Sequence, residues 1–162
     1  MDAAQLLADA RRRLADAPRE RLGELVPSRR VLGIPRAARI VPVGHAWHLG
    51  ALLLGDDAVF STGEIVRART EARRGYPAQS QRDRAELAAA ARRGGFAEGE
   101  VAHLGWAPID VVAVACGEAS GPLVLVAGAP SIRWSAAGDP MPLARYLDER
   151  VELLRHPPGG ST

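Results

Sequence analysis

The chain contains no lysine; all 21 of its basic residues are arginine. That absence removes every mechanism built on a side-chain amine, including Schiff bases, Ser-Lys dyads and the phosphate-binding lysine of a P-loop. Cysteine is nearly absent as well. Cys116 stands alone, so no internal disulfide can form, which fits a cytoplasmic setting. Aromatic residues are scarce, seven in 162, and the core must therefore be built mostly from Leu, Val, Ile and Ala. No apolar run approaches the roughly 18 residues of a membrane span. The opening residues lack the uninterrupted apolar stretch of a secretory signal, and no membrane partner is expected.

Histidine is sparse too. His45 and His48 stand three apart, with His103 far along the chain. On a strand that spacing sends the first two to opposite faces, and one cysteine cannot complete a tetrahedral site with them. The expectation is no metal and no cofactor.

What is present suffices for one globular domain over residues 1–156, with a helical and irregular arm over 1–39 and a flexible Pro/Gly tail over 157–162. The charge is uneven. Between Arg11 and Arg39 nine arginines face three acids, between Arg67 and Arg93 eight face three, and from Gly94 to Ile132 there are four acids and no arginine. The whole-chain charge of +2 hides two basic blocks, which are either solvated faces or a surface for an anionic partner.

The central stretch reads as a β-hairpin, with one strand over Trp47–Leu54, a turn at Gly55-Asp56-Asp57, and a second strand running toward Arg69. Gly50 and Gly63 mark a bulge or a close approach of another backbone. Residues 2–16 have helical spacing of Leu6, Leu7, Ala10 and Leu14, and a second short helix is expected over Arg19–Val26. Pro27–Pro42 reads as an irregular arm, with room for one short extended piece over Val31–Ile34. Ser80 is a good N-cap for a helix through Ala91, closed by Arg92-Arg93 and Gly94-Gly95, with Phe96 packing back. Val101–Trp106 and Ile109–Cys116 read as strands, Leu123–Ser135 as a hairpin turning at Gly128-Ala129-Pro130, and a last helix starts at Asp139 or Pro140. Hairpins interleaved with helices predict an α+β fold. Its mainly antiparallel sheet would be built from two hairpins, with helices on one face and helices at both ends of the chain.

The strongest cluster outside the core pattern runs from Arg67 to Arg84 and holds Arg67, Arg69, Arg73, Arg74, Tyr76, Gln79, Ser80, Arg82 and Arg84. Arginine beside a helix start is suited to an anion. Glu64 falls in a strand expected to be internal, where a buried carboxylate needs a partner such as Arg133 or serves as a base. Cys116, at the end of an apolar run before Gly117, loosely resembles a nucleophile at a strand-to-turn junction, without the glycine two residues ahead of it.

Three segments resemble a group of short proteins of high-GC bacteria, some of which carry the label glutaminase. They are Trp47–Leu54 with Ser61-Thr62-Gly63-Glu64, the run from Arg73-Arg74-Gly75-Tyr76 to Gly94-Gly95-Phe96-Ala97-Glu98-Gly99, and Ile132-Arg133-Trp134-Ser135. The resemblance implies an amide hydrolase, for which Cys116, His103 and Glu64 are the only imaginable constellation. The Ser-x-x-Lys nucleophile of serine-type glutaminases is excluded by the missing lysine. Two functions thus stand side by side. One is a non-catalytic module whose Arg67–Arg84 face takes an anionic ligand, a protein or nucleic acid; the other is a small amide hydrolase.

Overall fold

The structure, a computed structural model, describes residues 1–70 and 78–159. In chain order its elements are α1 (Ala3–Arg13), β1 (Glu20–Val26), β2 (Arg29–Val31), β3 (Ile34–Arg36), β4 (Arg39–Leu49), β5 (Leu52–Leu54), β6 (Val59–Ser61) and β7 (Glu64–Arg67). Then follow α2 (Gln79–Gly94), β8 (Val101–Leu104), β9 (Ala107–Pro108), α3 (Val111–Ala115), β10 (Leu123–Val126), β11 (Ala129–Ile132), β12 (Met141–Pro142) and α4 (Leu143–Arg155). This is the expected α+β fold, with strands paired mostly antiparallel. The described residues group into two compact units. One comprises Met1–Arg19, Ala46–Thr62 and Ala107–Thr162; the other comprises Glu20–His45 and Gly63–Trp106.

In the first unit, the end of β4 pairs with β5 (Trp47↔Leu54, Leu49↔Leu52), β5 with β6, and β6 with β9, all antiparallel. The single strand expected over Trp47–Leu54 is therefore two strands. The chain reverses at Gly50, whose φ is +70°. A side chain from α4 fixes the reversal: the buried Tyr146 hydroxyl accepts from the Ala51 N–H at 2.7 Å and donates to the Leu49 carbonyl at 2.6 Å. The Gly55-Asp56-Asp57 turn forms as expected, closed by the Gly55 N–H on the Ala58 carbonyl at 2.9 Å. A second ladder joins β10, β11 and β12. Its tight turn holds Ala127 and Gly128 at φ +49° and +78°, one residue earlier than expected.

Ile109–Cys116 is not a strand. Asp110 caps a short helix there, its carboxylate accepting from the Ala113 N–H at 2.9 Å, and a cap of this kind outweighs the apolar run's strand preference. Helix α1 opens with an Asp2–Gln5 capping box. Its stripe of Ala3, Leu7 and Ala10, with Leu14 just beyond, shares one core with Leu143, Tyr146, Leu147 and Val151 of α4, and with Trp47, Leu52 and Leu54. The Trp47 indole N–H donates to the Ala17 carbonyl at 3.1 Å, and the Arg19 guanidinium lies 4.0 Å from its ring centre.

In the second unit, β8 runs between β7, antiparallel to it, and β1, parallel to it; β4 neighbours β1 on its other side. The helix expected over Arg19–Val26 is strand β1. Its pairing with β8 (Arg21↔Ala102, Leu22↔His103) sets the extended backbone, and Gly23 allows the close packing, since a Cβ there would come within 2.6 Å of Ile40 Cγ2. Gly63 shows the expected close backbone approach, since its Cβ would sit 2.2 Å from the Leu104 carbonyl oxygen.

Helix α2 buries Ala89, Ala90 and Ala91, the last two in one cluster with Ile40, Val66, Ala102 and Leu104. Gly95 closes it at φ +111°, and the Phe96 N–H returns to the Ala91 carbonyl at 3.1 Å while its ring is fully buried. The start differs from expectation. Ala78 is the N-cap, without a side-chain bond, and Ser80 lies inside the first turn. The irregular arm is in part a two-stranded hairpin, β2 with β3 (Arg29↔Arg36, Val31↔Ile34), turning at Leu32 and Gly33.

Candidate anion-binding groove

The second unit carries the Arg67–Arg84 cluster. Strand β7 is the edge of its sheet, hydrogen-bonded to β8 alone among the strands, and α2 lies beside it. Between them runs a groove of about 450 Å³ whose polar lining is Arg67, Arg69, Arg84 and Glu64, over an apolar floor that includes Val66, Leu87 and Ala88. At the open edge of β7 four consecutive residues, Glu64 to Arg67, reach the groove, and the phase of α2 brings Arg84, Ala85, Leu87 and Ala88 to it. Val66 turns into the core opposite Ala102 while Arg67 stays exposed, and Arg84 stands one helical turn before Ala88. The backbone just beyond β7 is tied to the helix by the Arg69 N–H on the Ala88 carbonyl at 3.2 Å.

The acids of this unit are mostly engaged elsewhere. Glu86 pairs with Arg93 at 2.6 Å, Glu98 with Arg92 at 3.3 Å, and Glu100 with Arg21 at 3.2 Å. Glu98 also accepts from the Thr70 N–H and hydroxyl, each at 2.9 Å. The Glu100 carboxyl is held below the usual carboxylate range, chiefly by the Ala97 backbone N–H at 2.7 Å; burial opposes this, and the hydrogen bond and charge of Arg21 add to the lowering. Asp83 accepts from the Gln79 amide at 2.8 Å. Arg67 donates to the Gly99 carbonyl at 2.9 Å, which orients it without neutralising it. Among the described residues, neither Arg69 nor Arg84 has a carboxylate partner, so the groove keeps three guanidinium groups against the single charge of Glu64.

Ser80 and Arg82 are exposed on α2 but do not line this groove. Arg73, Arg74 and Tyr76 lie outside the described residues.

The three catalytic candidates are divided between the units. Cys116 is exposed at the C-terminal cap of α3 in the first, whereas His103 and Glu64 belong to the second. Within that unit Glu64 lies opposite Leu104 and His103 opposite Ile65, so alternation places Glu64 and His103 on opposite faces of the ladder. Glu64 is also exposed on an edge strand, which corrects the expectation of a buried carboxylate on an inner strand. His103 is fully buried, and its Nε2 contacts the Glu20 carboxylate. Sequence reasoning missed Glu20 because it fell in a stretch read as helix. The parallel register Leu22↔His103 is what brings the two elements together, and no local pattern signals it.

The chain matches no family model, no curated protein and no solved structure.

Proposed function

We propose that this protein is a cytoplasmic, non-catalytic binding module that takes an anionic partner in the groove between β7 and α2. The observation that carries this reading is the lining of that groove: three arginines, none with a carboxylate partner among the described residues, on a concave surface beside an edge strand. Guanidinium groups present forked donors to phosphates and carboxylates, and the surrounding acids already have partners. An amide hydrolase needs a nucleophile and a base within reach of each other. Glu64 and His103 face opposite sides of their ladder, and Cys116 closes a short helix rather than a strand-to-turn junction, so the binding reading is the better supported.

The test is a fluorescence-anisotropy titration of a labelled DNA duplex at low salt. Three phosphate contacts give a log–log salt slope of about −3. Arg69→Ala/Arg84→Ala should weaken binding about tenfold or more and flatten that slope by about two, while Arg29→Ala/Arg36→Ala should leave the groove's share of binding intact. Absence of binding at micromolar protein, or binding unchanged by Arg69→Ala/Arg84→Ala, would remove the groove from consideration.

A further inference from the structure

We infer that the β2–β3 hairpin is an interfacial anchor for a bilayer surface containing anionic phospholipid, a site separate from the β7–α2 groove. The hairpin is a two-stranded sheet of its own, a form that is marginal in water unless something covers it. Its composition is graded along its axis. The apex holds Leu32, 97% exposed, and Ile34, 65% exposed, beside Val31 and Pro35. The base holds Arg29, Arg30 and Arg36, with Arg39 just after it.

Two features of the base go against stability in the free protein or leave charge uncompensated. Arg29 and Arg36 stand directly opposite each other in the ladder, a like-charge pairing that is unfavourable without an anion between. With Arg39 and Arg93 they line a cavity of about 300 Å³ that has no acidic residue in its wall. Arg93 is spoken for by Glu86 and by the Ala38 carbonyl at 2.9 Å. Arg29, Arg36 and Arg39 have no carboxylate partner among the described residues.

The apex carries an independent signal. Leu32 has φ +50° and Gly33 φ +80°, the signature of a two-residue type I′ turn, whose first position favours Asn, Asp or Gly. A leucine there is both strained and almost wholly in water. Local stability would replace it, so its side chain is best explained by a contact outside the chain.

The order of the chemistry selects the partner. Three residues separate the apex from Arg29 and Arg36, about 10 Å of strand. Amphipathic elements bury their apolar part roughly 5–10 Å into the headgroup–acyl boundary. A hairpin entering apex first would therefore put Leu32 and Ile34 in the acyl region and its arginines at the phosphate layer, with the cavity at the base receiving a headgroup phosphate. A nucleic-acid duplex offers the reverse order, phosphates outermost and a polar groove floor beneath. Composition alone points to no membrane partner because no stretch of the chain is apolar enough to span a bilayer. Among the described residues no helix is long and apolar enough to do so, and an anchor of this kind requires none.

Co-flotation of the purified protein with phosphatidylcholine vesicles, with and without phosphatidylserine, tests the inference. The wild type should float with the anionic vesicles and far less with the neutral ones, and added salt should weaken it. Arg29→Ala/Arg36→Ala should reduce partitioning about 30-fold, from roughly a factor of five per arginine near an anionic surface. Leu32→Asn should reduce it about tenfold or more, while its melting temperature stays equal or rises, because asparagine suits the turn. That combination separates lost anchoring from lost folding. No flotation with anionic vesicles at micromolar protein would overturn the inference. So would flotation indifferent to Leu32→Asn, which would mean charge adsorption alone. Duplex-DNA binding lost in both variants, without vesicle binding, would overturn it too and assign the hairpin to nucleic acid instead.

Discussion

Removing one hydroxyl should loosen the reversal between β4 and β5. In Tyr146→Phe the ring and its packing remain, so no cavity opens, but the Leu49 carbonyl and the Ala51 N–H lose their shared partner. Each orphaned buried group costs roughly 1–3 kcal/mol. The Leu49 carbonyl lies in a buried residue and the Ala51 N–H in a half-buried one, which puts the total at about 2–4 kcal/mol. Gly50→Ala attacks the same point from the other side. Its Cβ would sit 2.6 Å from the Tyr146 hydroxyl oxygen and 3.2 Å from Arg150 Nε, at φ +70°. The backbone strain alone is worth roughly 1–2 kcal/mol, and displacing the hydroxyl adds much of the loss seen in Tyr146→Phe. Once the hydroxyl is gone, only the flexible Arg150 end remains in the way, so Gly50→Ala added to Tyr146→Phe should cost only about the strain. The two substitutions should therefore be non-additive by about 2 kcal/mol, well outside the ~0.5 kcal/mol scatter of independent sites. Urea unfolding of the wild type, the two single variants and the double variant measures this directly. Additivity within that scatter, or a Tyr146→Phe loss under about 1 kcal/mol, would refute the role given to the hydroxyl.

Gly94→Ala should be among the most damaging single methyl additions, because the new Cβ would lie 1.5 Å from the Ile40 carbonyl oxygen, a backbone atom that cannot step aside. A loss of about 3 kcal/mol or more is expected in thermal or urea melts, and wild-type stability would disprove the close packing of α2 on β4. Glu100→Gln should show a pH-dependent effect. The Glu100 carboxyl is lower in the folded protein than its ordinary value, so its contribution is fully present above the ordinary carboxylate range and disappears as pH falls through the lowered value. The difference in stability between wild type and Glu100→Gln should be largest near neutrality and shrink in acid; a constant difference would contradict the sign.

The elements that were legible in the sequence are those whose determinants are local. Arg92-Arg93-Gly94-Gly95-Phe96 announces a helix end, and a left-handed Gly95 with Phe96 folded back is what forms. Leu143, Tyr146, Leu147, Val151 and Leu154 trace one face of α4, and the first four are buried, although the helix starts at Leu143 rather than at Asp139 or Pro140. The misreadings have distant causes. Trp47–Leu54 carries apolar residues on both faces and so looks like one strand, while the group that fixes its reversal, Tyr146, lies on α4, remote along the chain. Strand β1 pairs in parallel with β8, again far away in sequence, and nothing within Arg19–Val26 announces that partner. The candidate groove was half visible. The arginine cluster is plain in composition, but choosing Arg84 over Arg82 requires the phase of α2 against β7. Glu64 was misplaced because edge and inner strands look alike until the sheet order is known.

The division of the chain into interleaved segments has a consequence during synthesis. Every segment of the unit holding β1, β7 and β8 has been made once Trp106 is added, whereas the other unit draws on segments that precede and follow it in sequence. Helix α1 is made well before its partners on α4, which include Val151 and the Asp148 that pairs with Arg13 at 2.6 Å. At roughly 5–20 residues per second, Leu7 and Ala10 must wait about 10–30 s on the ribosome before their core exists. Over that interval Ala3, Leu7 and Ala10 lack the core that buries them, so the segment cannot hold its helix by packing and relies on its own capping box and propensity.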